Sequence, residues 1–210
     1  MKKGFMNLML VFAVLFTAVI GASAQSKALS KDVKKRVKEL KKEGWKIQAS
    51  TTTLDYAMLK YRTYMEEDEE NRIAISGIAE GKNLKIGREN AIMSGIASYA
   101  SRAKAQIQGK TKGLISADNR EASSEESDRF AAAYEMGVNA KIGGLVKQHF
   151  VLVRDMENGK KEFNVFMSLD EAKAKQAREE AAEEAARKAN LKGLSEEVKE
   201  FIGEPVPAEE

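Results

Sequence analysis

The stretch "NRIAISGIAEGKN", Asn71 to Asn83, decides how this chain is read. Its first part alternates. Ile73, Ile75 and Gly77 fall on one face and Ala74, Ser76 and Ile78 on the other, which is the period of a strand. Its end opens "NLKIGRENAIMSGIASYASRAKAQI", the best helical pattern in the chain. Strand, glycine turn, Gly-Lys and helix follow one another as they do in a phosphate-binding loop. The spacing argues against that reading. Such a loop needs four residues between its glycines and a Ser or Thr after the Lys, so that backbone N–H groups wrap a phosphate and the hydroxyl holds magnesium. Here three residues separate Gly77 from Gly81, and Asn83 replaces the hydroxyl. The glycines are therefore read as steric. They ease the turn from strand to helix, and a glycine within a strand admits a bulge or a closely packed helix.

The helix expected from Asn83 to about Leu114 carries Ile92, Ile96, Tyr99, Ala103 and Ile107 on one stripe, with the small residues Ala91, Gly95 and Ala100 beside it. Small residues let a helix lie close to a sheet, so this helix should cover the strands. Upstream, Leu29, Val33, Val37 and Leu40 mark a first helix that Ser30 can cap and Gly44 can end. "WKIQAS" (Trp45 to Ser50) reads as a short strand with Trp45 as a core anchor. Thr52 or Thr53 can cap a second helix with the stripe Leu54, Ala57, Met58, Tyr61 and Met65. Its three tyrosines, Tyr56, Tyr61 and Tyr64, do not share one face, which puts at least one at a rim.

Downstream, "SADNREASSEES" (Ser116 to Ser127) is polar and reads as a loop. Ser127 to Gly144 reads either as a short helix capped by Ser127 or as a passage into a strand near Val138. Asn158-Gly159 lies between two runs rich in Val, Phe and Leu and predicts a hairpin of about Leu145–Met156 with about Lys161–Leu169. From Asp170 the composition becomes Ala, Glu, Lys and Arg, with no large apolar residue before Leu191. Asp170 can cap that helix, and its i,i+4 pairs Glu183–Arg187 and Glu184–Lys188 support it. An alanine face buries little. The helix either protrudes or pairs with another alanine-rich helix, a second copy included.

At the N-terminus, Lys2 and Lys3, an apolar run to Ile20 and the small-residue site Ala22-Ser23-Ala24 together predict a signal peptide over residues 1–24, cut before Gln25. The rival reading is an uncleaved anchor. The chain has 35 Lys+Arg and 32 Asp+Glu, and losing Lys2 and Lys3 takes its formal charge from +3 to +1. So balanced a surface gives no general attraction to nucleic acid or to anionic membrane. Cysteine is absent, which excludes disulfides, thiolate zinc sites, cysteine nucleophiles and a lipid-bearing cysteine after the apolar run.

Few residues invite chemistry. The acids of "EEDEEN" (Glu66 to Asn71) lack the alternation and the turn glycine of a calcium loop. His149, the sole histidine, has no serine in a nucleophile elbow to act on. No paired carboxylates are placed in a cleft. The lysines of the first helix, Lys34, Lys35, Lys38, Lys41 and Lys42, form a candidate interaction surface for anionic polymers, or an ordinary solvated face.

Three segments, "ISGIAEG", "ENAIMSGIASYASRAKAQI" and "VLVRDMENGKKEFNVFMSLDEAK", resemble the lipoprotein-twenty-like family of bacterial envelope proteins over roughly Trp45 to Asp170. That family shares its fold with the N-terminal domain of the flagellar T protein. The resemblance implies a small antiparallel sheet packed against helices and carries over no catalytic residue. The lipidation cysteine is missing here, so lipid anchoring does not transfer, and no motility role is implied. The expected architecture is α+β: a domain over residues 28–169, a charged Ala-rich helical appendage over 170–202, and a disordered tail over 203–210. The expected function is an exported envelope interaction or structural protein, periplasmic, outer-membrane-associated or secreted. It would have no catalytic residue, cofactor or metal, no nucleic acid and no stable membrane insertion after cleavage. It would have an envelope protein partner, and oligomers through the C-terminal helix are an open option. The alternative is a ligand-binding or hydrolytic accessory protein with a pocket between the sheet and the Tyr56–Tyr64 helix.

Overall fold

The computed structural model describes residues 27–48, 50–108, 124–157, 159–191 and 194–207. The signal-peptide segment, the expected helix end at Leu114, Asn158 and the last residues of the tail lie outside them. In chain order the elements are α1 (27–42), β1 (Lys46–Ile47), α2 (Leu54–Glu66), β2 (Arg72–Gly81), α3 (Leu84–Gln108), α4 (Ser124–Ile142), β3 (Lys147–Asp155), β4 (Lys161–Asp170), α5 (Glu171–Lys188) and α6 (Glu196–Ile202). The fold is α+β. The four strands form one antiparallel sheet in the order β1-β3-β4-β2.

The hairpin β3–β4 expected from the sequence is the centre of the sheet, and its connection spans residues 157–159. Gly159 has φ +72°, and Met156 N–H donates to Lys160 O over 3.0 Å. β2 pairs with β4 along its whole length, from Arg72 opposite Asp170 to Gly81 opposite Lys161. Gly77 is therefore a mid-strand residue opposite Val165 rather than part of a loop. Asn83 accepts from the N–H groups of Lys85 (2.9 Å) and Ile86 (3.2 Å), so its side chain already fills the helix N-terminus that a phosphate would need.

One sheet face carries Ile75, Val151, Phe163, Val165, Met167 and Leu169, and α3 lies on it. The approach is close because the glycines allow it. A Cβ on Gly77 would fall 1.9 Å from Ala91 O, and one on Gly95 would fall 2.7 Å from Ser76 O. The other face carries Phe150 and Leu152 and is covered by Leu29, Val33, Val37 and Leu40 of α1, Trp45, and Leu54, Met58 and Tyr61 of α2. The α1 stripe, the Trp45 anchor and the Thr53 cap (Tyr56 N–H to Oγ1, 3.3 Å) are as the sequence predicts.

Several expectations are corrected. Residue 30 lies inside α1, so Ser30 is not its cap. β1 is two residues long, because only Lys46 and Ile47 find partners on β3. The segment at Ser127 is a full helix from Ser124, with Ser127 buried within it and Val138 in its core face.

The Ala-rich helix is not an appendage. Ala174, Ala177, Ala181, Ala182, Ala185 and Ala186 are buried in the same core as Phe130, Tyr134 and Val165. Each buried methyl contributes roughly 0.8 kcal/mol, and the short side chains let two backbones approach. A Cβ on Gly137 of α4 would lie 2.9 Å from Ala181 Cβ. The alanine face is thus taken by α4 of the same chain, not by a second copy. Lys141 ties the pair by donating to Glu184 (2.9 Å) and Glu180 (3.2 Å). Nor is the start of the tail loose, since Val206 is buried in this core and Gln106 donates to Pro205 O over 3.2 Å. Among the described residues no helix is long and apolar enough to cross a membrane.

Candidate functional site

A pocket of about 290 Å³ lies between α2 and the sheet, where the helix passes over β3. Its position follows from α2's sequence. Tyr56, Lys60 and Tyr64 are spaced by four and form one row, and Ala57 and Tyr61 form the row beside it. Both rows face the pocket. The three tyrosines therefore line one cavity at different depths. Tyr61 is buried, Tyr64 is half-buried, and Tyr56 stands at the mouth, 60% exposed.

The floor comes from an irregularity in β3. Gln148 pairs with Met167 and Phe150 with Phe166, so His149 is an extra residue without a pairing partner. Such a bulge re-aims a side chain. The His149 ring turns to α2 and meets Tyr64 at 4.8 Å and Tyr61 at 5.0 Å between centroids. Its Nε2 lies 2.7 Å from Ser168 Oγ on β4. Tyr61 donates to Met167 O over 3.4 Å, and burial pushes its hydroxyl up to about 12.

Cations gather around this floor. The Lys147 ammonium lies 4.0 Å from the Tyr64 ring centroid and the Arg72 guanidinium 3.8 Å, both within cation–π range. Arg72 also donates to Tyr64 O and pairs with Glu67 and Asp68 at 3.4 and 3.9 Å. Burial, then the charges of Lys147, Lys60 and Arg72, push the His149 imidazole down to about 4, so it is neutral at physiological pH.

His149 and Ser168 are within reach of a base and a nucleophile. However, Ser168 is only 2% exposed, and an imidazole of such low basicity is a poor proton acceptor near neutral pH. What the site offers is ring faces, hydroxyls and ammonium groups around a small concave space.

The candidate lysines of α1 lie elsewhere. Lys34, Lys35, Lys38, Lys41 and Lys42 are all exposed, on the side away from the buried stripe. Lys41 is held at 2.7 Å by Asp55, and Lys35 shares its surroundings with Asp32 and Glu39. The acids at and just beyond the end of α2 are partly engaged as well, Glu66 by Arg62 at 3.7 Å and Glu67 and Asp68 by Arg72.

Comparison with protein-family models, with curated proteins and with solved structures finds no match to this chain. The site must therefore be judged on its own geometry. A wider groove of about 820 Å³ runs between α1, α2, β2 and the C-terminal segment. It is larger, and its lining sets Leu29, Met65, Ile73 and Val206 beside charged groups of both signs, with Asp32 and Glu66 paired to Arg62. The smaller pocket brings amines, hydroxyls and an imidazole together beside the rings of Tyr56, Tyr61, Tyr64 and Phe150, the convergence of polar groups that marks small-molecule sites.

Sequence reasoning offers the Tyr56–Tyr64 helix as one wall of its alternative pocket and gives His149 no role. It misses the bulge, Lys60 and Lys147. A weak signal existed in the row Tyr56, Lys60, Tyr64, which puts an amine between two aromatic rings on one helix face.

Proposed function

We propose that this chain is an exported, non-catalytic binding protein of the cell envelope whose recognition site is the pocket between α2 and β3. The bulge that turns His149 out of the β3 pairing and onto Ser168 and the tyrosines is the observation that carries it. A binding site needs such fixed groups around an open space, and Ser168, the hydroxyl that His149 meets, is itself buried. Export is supported by the leader pattern from Lys2 to Ala24. Kinship with the lipoprotein-twenty-like envelope proteins is supported by the quoted motifs, and the antiparallel sheet under helices agrees with their fold.

A thermal-shift comparison tests this. The low-molecular-weight fraction of the producing cells' envelope should raise the Tm of the mature protein and leave that of Tyr64→Ala unmoved. Equal shifts in the two proteins would place recognition outside the pocket.

A further inference from the structure

The charge around the pocket is one-sided. Its lining includes Lys60 from α2 and Lys147 from β3 and contains no carboxylate, in a chain with 32 acidic residues. Among the described residues neither lysine has a carboxylate in ion-pair contact, whereas Arg72, behind Tyr64, is already paired with Glu67 and Asp68. Asp55, the acid beside Tyr56 on α2, is turned to Lys41. Among the described residues none from β4 lines the pocket, and the buried Ser168 hydroxyl lies behind His149, 2.7 Å from its Nε2. Ser50 and Thr52 add hydroxyls at the rim, and Tyr56 presents an exposed ring at the mouth.

An oxyanion matches this set. Its oxygens accept only, ammonium and hydroxyl groups donate, and such charge-assisted bonds are about twice as strong as neutral ones. A volume of about 290 Å³ suits one small ring with its substituents. We propose that the pocket binds a small ring compound bearing a carboxylate or a phosphate, with the anionic group between Lys60 and Lys147 and the ring against Tyr56. This rests on the reading of the pocket as the recognition site. His149 is held low first by burial and then by the charges of Lys147, Lys60 and Arg72, and a bound anion should offset the second contribution.

The test is a titration of the isotopically labelled mature protein, followed at the His149 ring by NMR. The probes are galacturonate, glucose 6-phosphate and neutral methyl glucoside. The two anions should move the His149 signals saturably and raise its titration midpoint, and the stronger of them tells carboxylate from phosphate. Lys60→Met/Lys147→Met changes two exposed side chains, and it should weaken both anions by about tenfold or more. Methyl glucoside should bind far more weakly. If methyl glucoside binds as well as the anions and the double variant binds all three unchanged, the anion inference is overturned and the pocket reading stands. If none of the three moves any pocket residue at millimolar concentration, the anion inference is again overturned, and the pocket reading is decided separately by the envelope fraction.

Discussion

Gly77 of β2 and Gly95 of α3 face each other with no side chain between them. A Cβ on Gly77 would lie 2.5 Å from the backbone nitrogen of Gly95 and closer still to Ala91 O. Backbone cannot swing aside as a flexible side chain can, so Gly77→Ala must push α3 off the sheet. The expected loss is about 3 kcal/mol, at the upper end of overpacking costs. Gly144→Ala, with nothing within 4 Å of the added carbon, should stay within about 0.5 kcal/mol of the wild type. Urea denaturation of the two variants checks this, and equal midpoints would contradict it.

Arg178 is fully buried and joins three parts of the chain. It donates to Tyr99 Oη (2.6 Å), Glu171 Oε1 (2.7 Å), Glu204 O (3.0 Å) and Ile202 O (3.1 Å). Arg178→Ala should cost about 3–5 kcal/mol, because it strands Glu171 and two backbone carbonyls. It should also release the segment around Val206 to protease. Arg178→Met with Glu171→Leu should recover most of the loss, since removing both charges removes the unpaired one. A double variant as unstable as the single one would show that the contacts to Tyr99 and the C-terminal carbonyls dominate.

Truncation separates a core helix from an appendage. A chain ending at Leu169 loses the alanines that cover Phe130, Tyr134 and Val138, and should lack a cooperative unfolding transition while keeping secondary structure. A sharp transition near the wild-type midpoint would return α5 to the periphery.

The His149 shift sets a pH window. In the unfolded chain the imidazole protonates near its ordinary value of 6.5, and in the folded protein near 4. Between those values the unfolded state binds more protons, so stability rises with pH there, is fully present above the upper value, and is lost as pH falls toward the lower one. The ion-paired Glu180 and Glu184, held below their ordinary value of 4.5, lose their contributions only in more acid solution. Stability at pH 5 should therefore be below that at pH 7, and His149→Gln should flatten the difference. An unchanged difference in the variant would assign it to other groups.

Much of the fold was legible in the residues. The hairpin could be read because Asn-Gly chemistry is local, and α1, β2 and α3 because their apolar periods are long. α5 was misjudged because alanine favours helix whether buried or exposed. Only the facing small residues, Gly137 and its neighbours on α4, show that two backbones meet. Arg178 was hidden for a related reason. It falls on the stripe Ala174, Ala177, Ala181, but one arginine among many charges does not announce burial. The pocket was half legible. Its helical wall follows from spacing, whereas the His149 bulge depends on register across two strands, which no local pattern encodes.

The most direct measurement is a map of backbone and His149 chemical shifts for the chain from Gln25 onward as the low-molecular-weight envelope fraction is added. Shifts concentrated at Tyr56, Lys60, Tyr64, Lys147 and His149 are predicted. Shifts concentrated on the exposed lysines of α1, Lys34 to Lys42, with the pocket unmoved, would contradict the account.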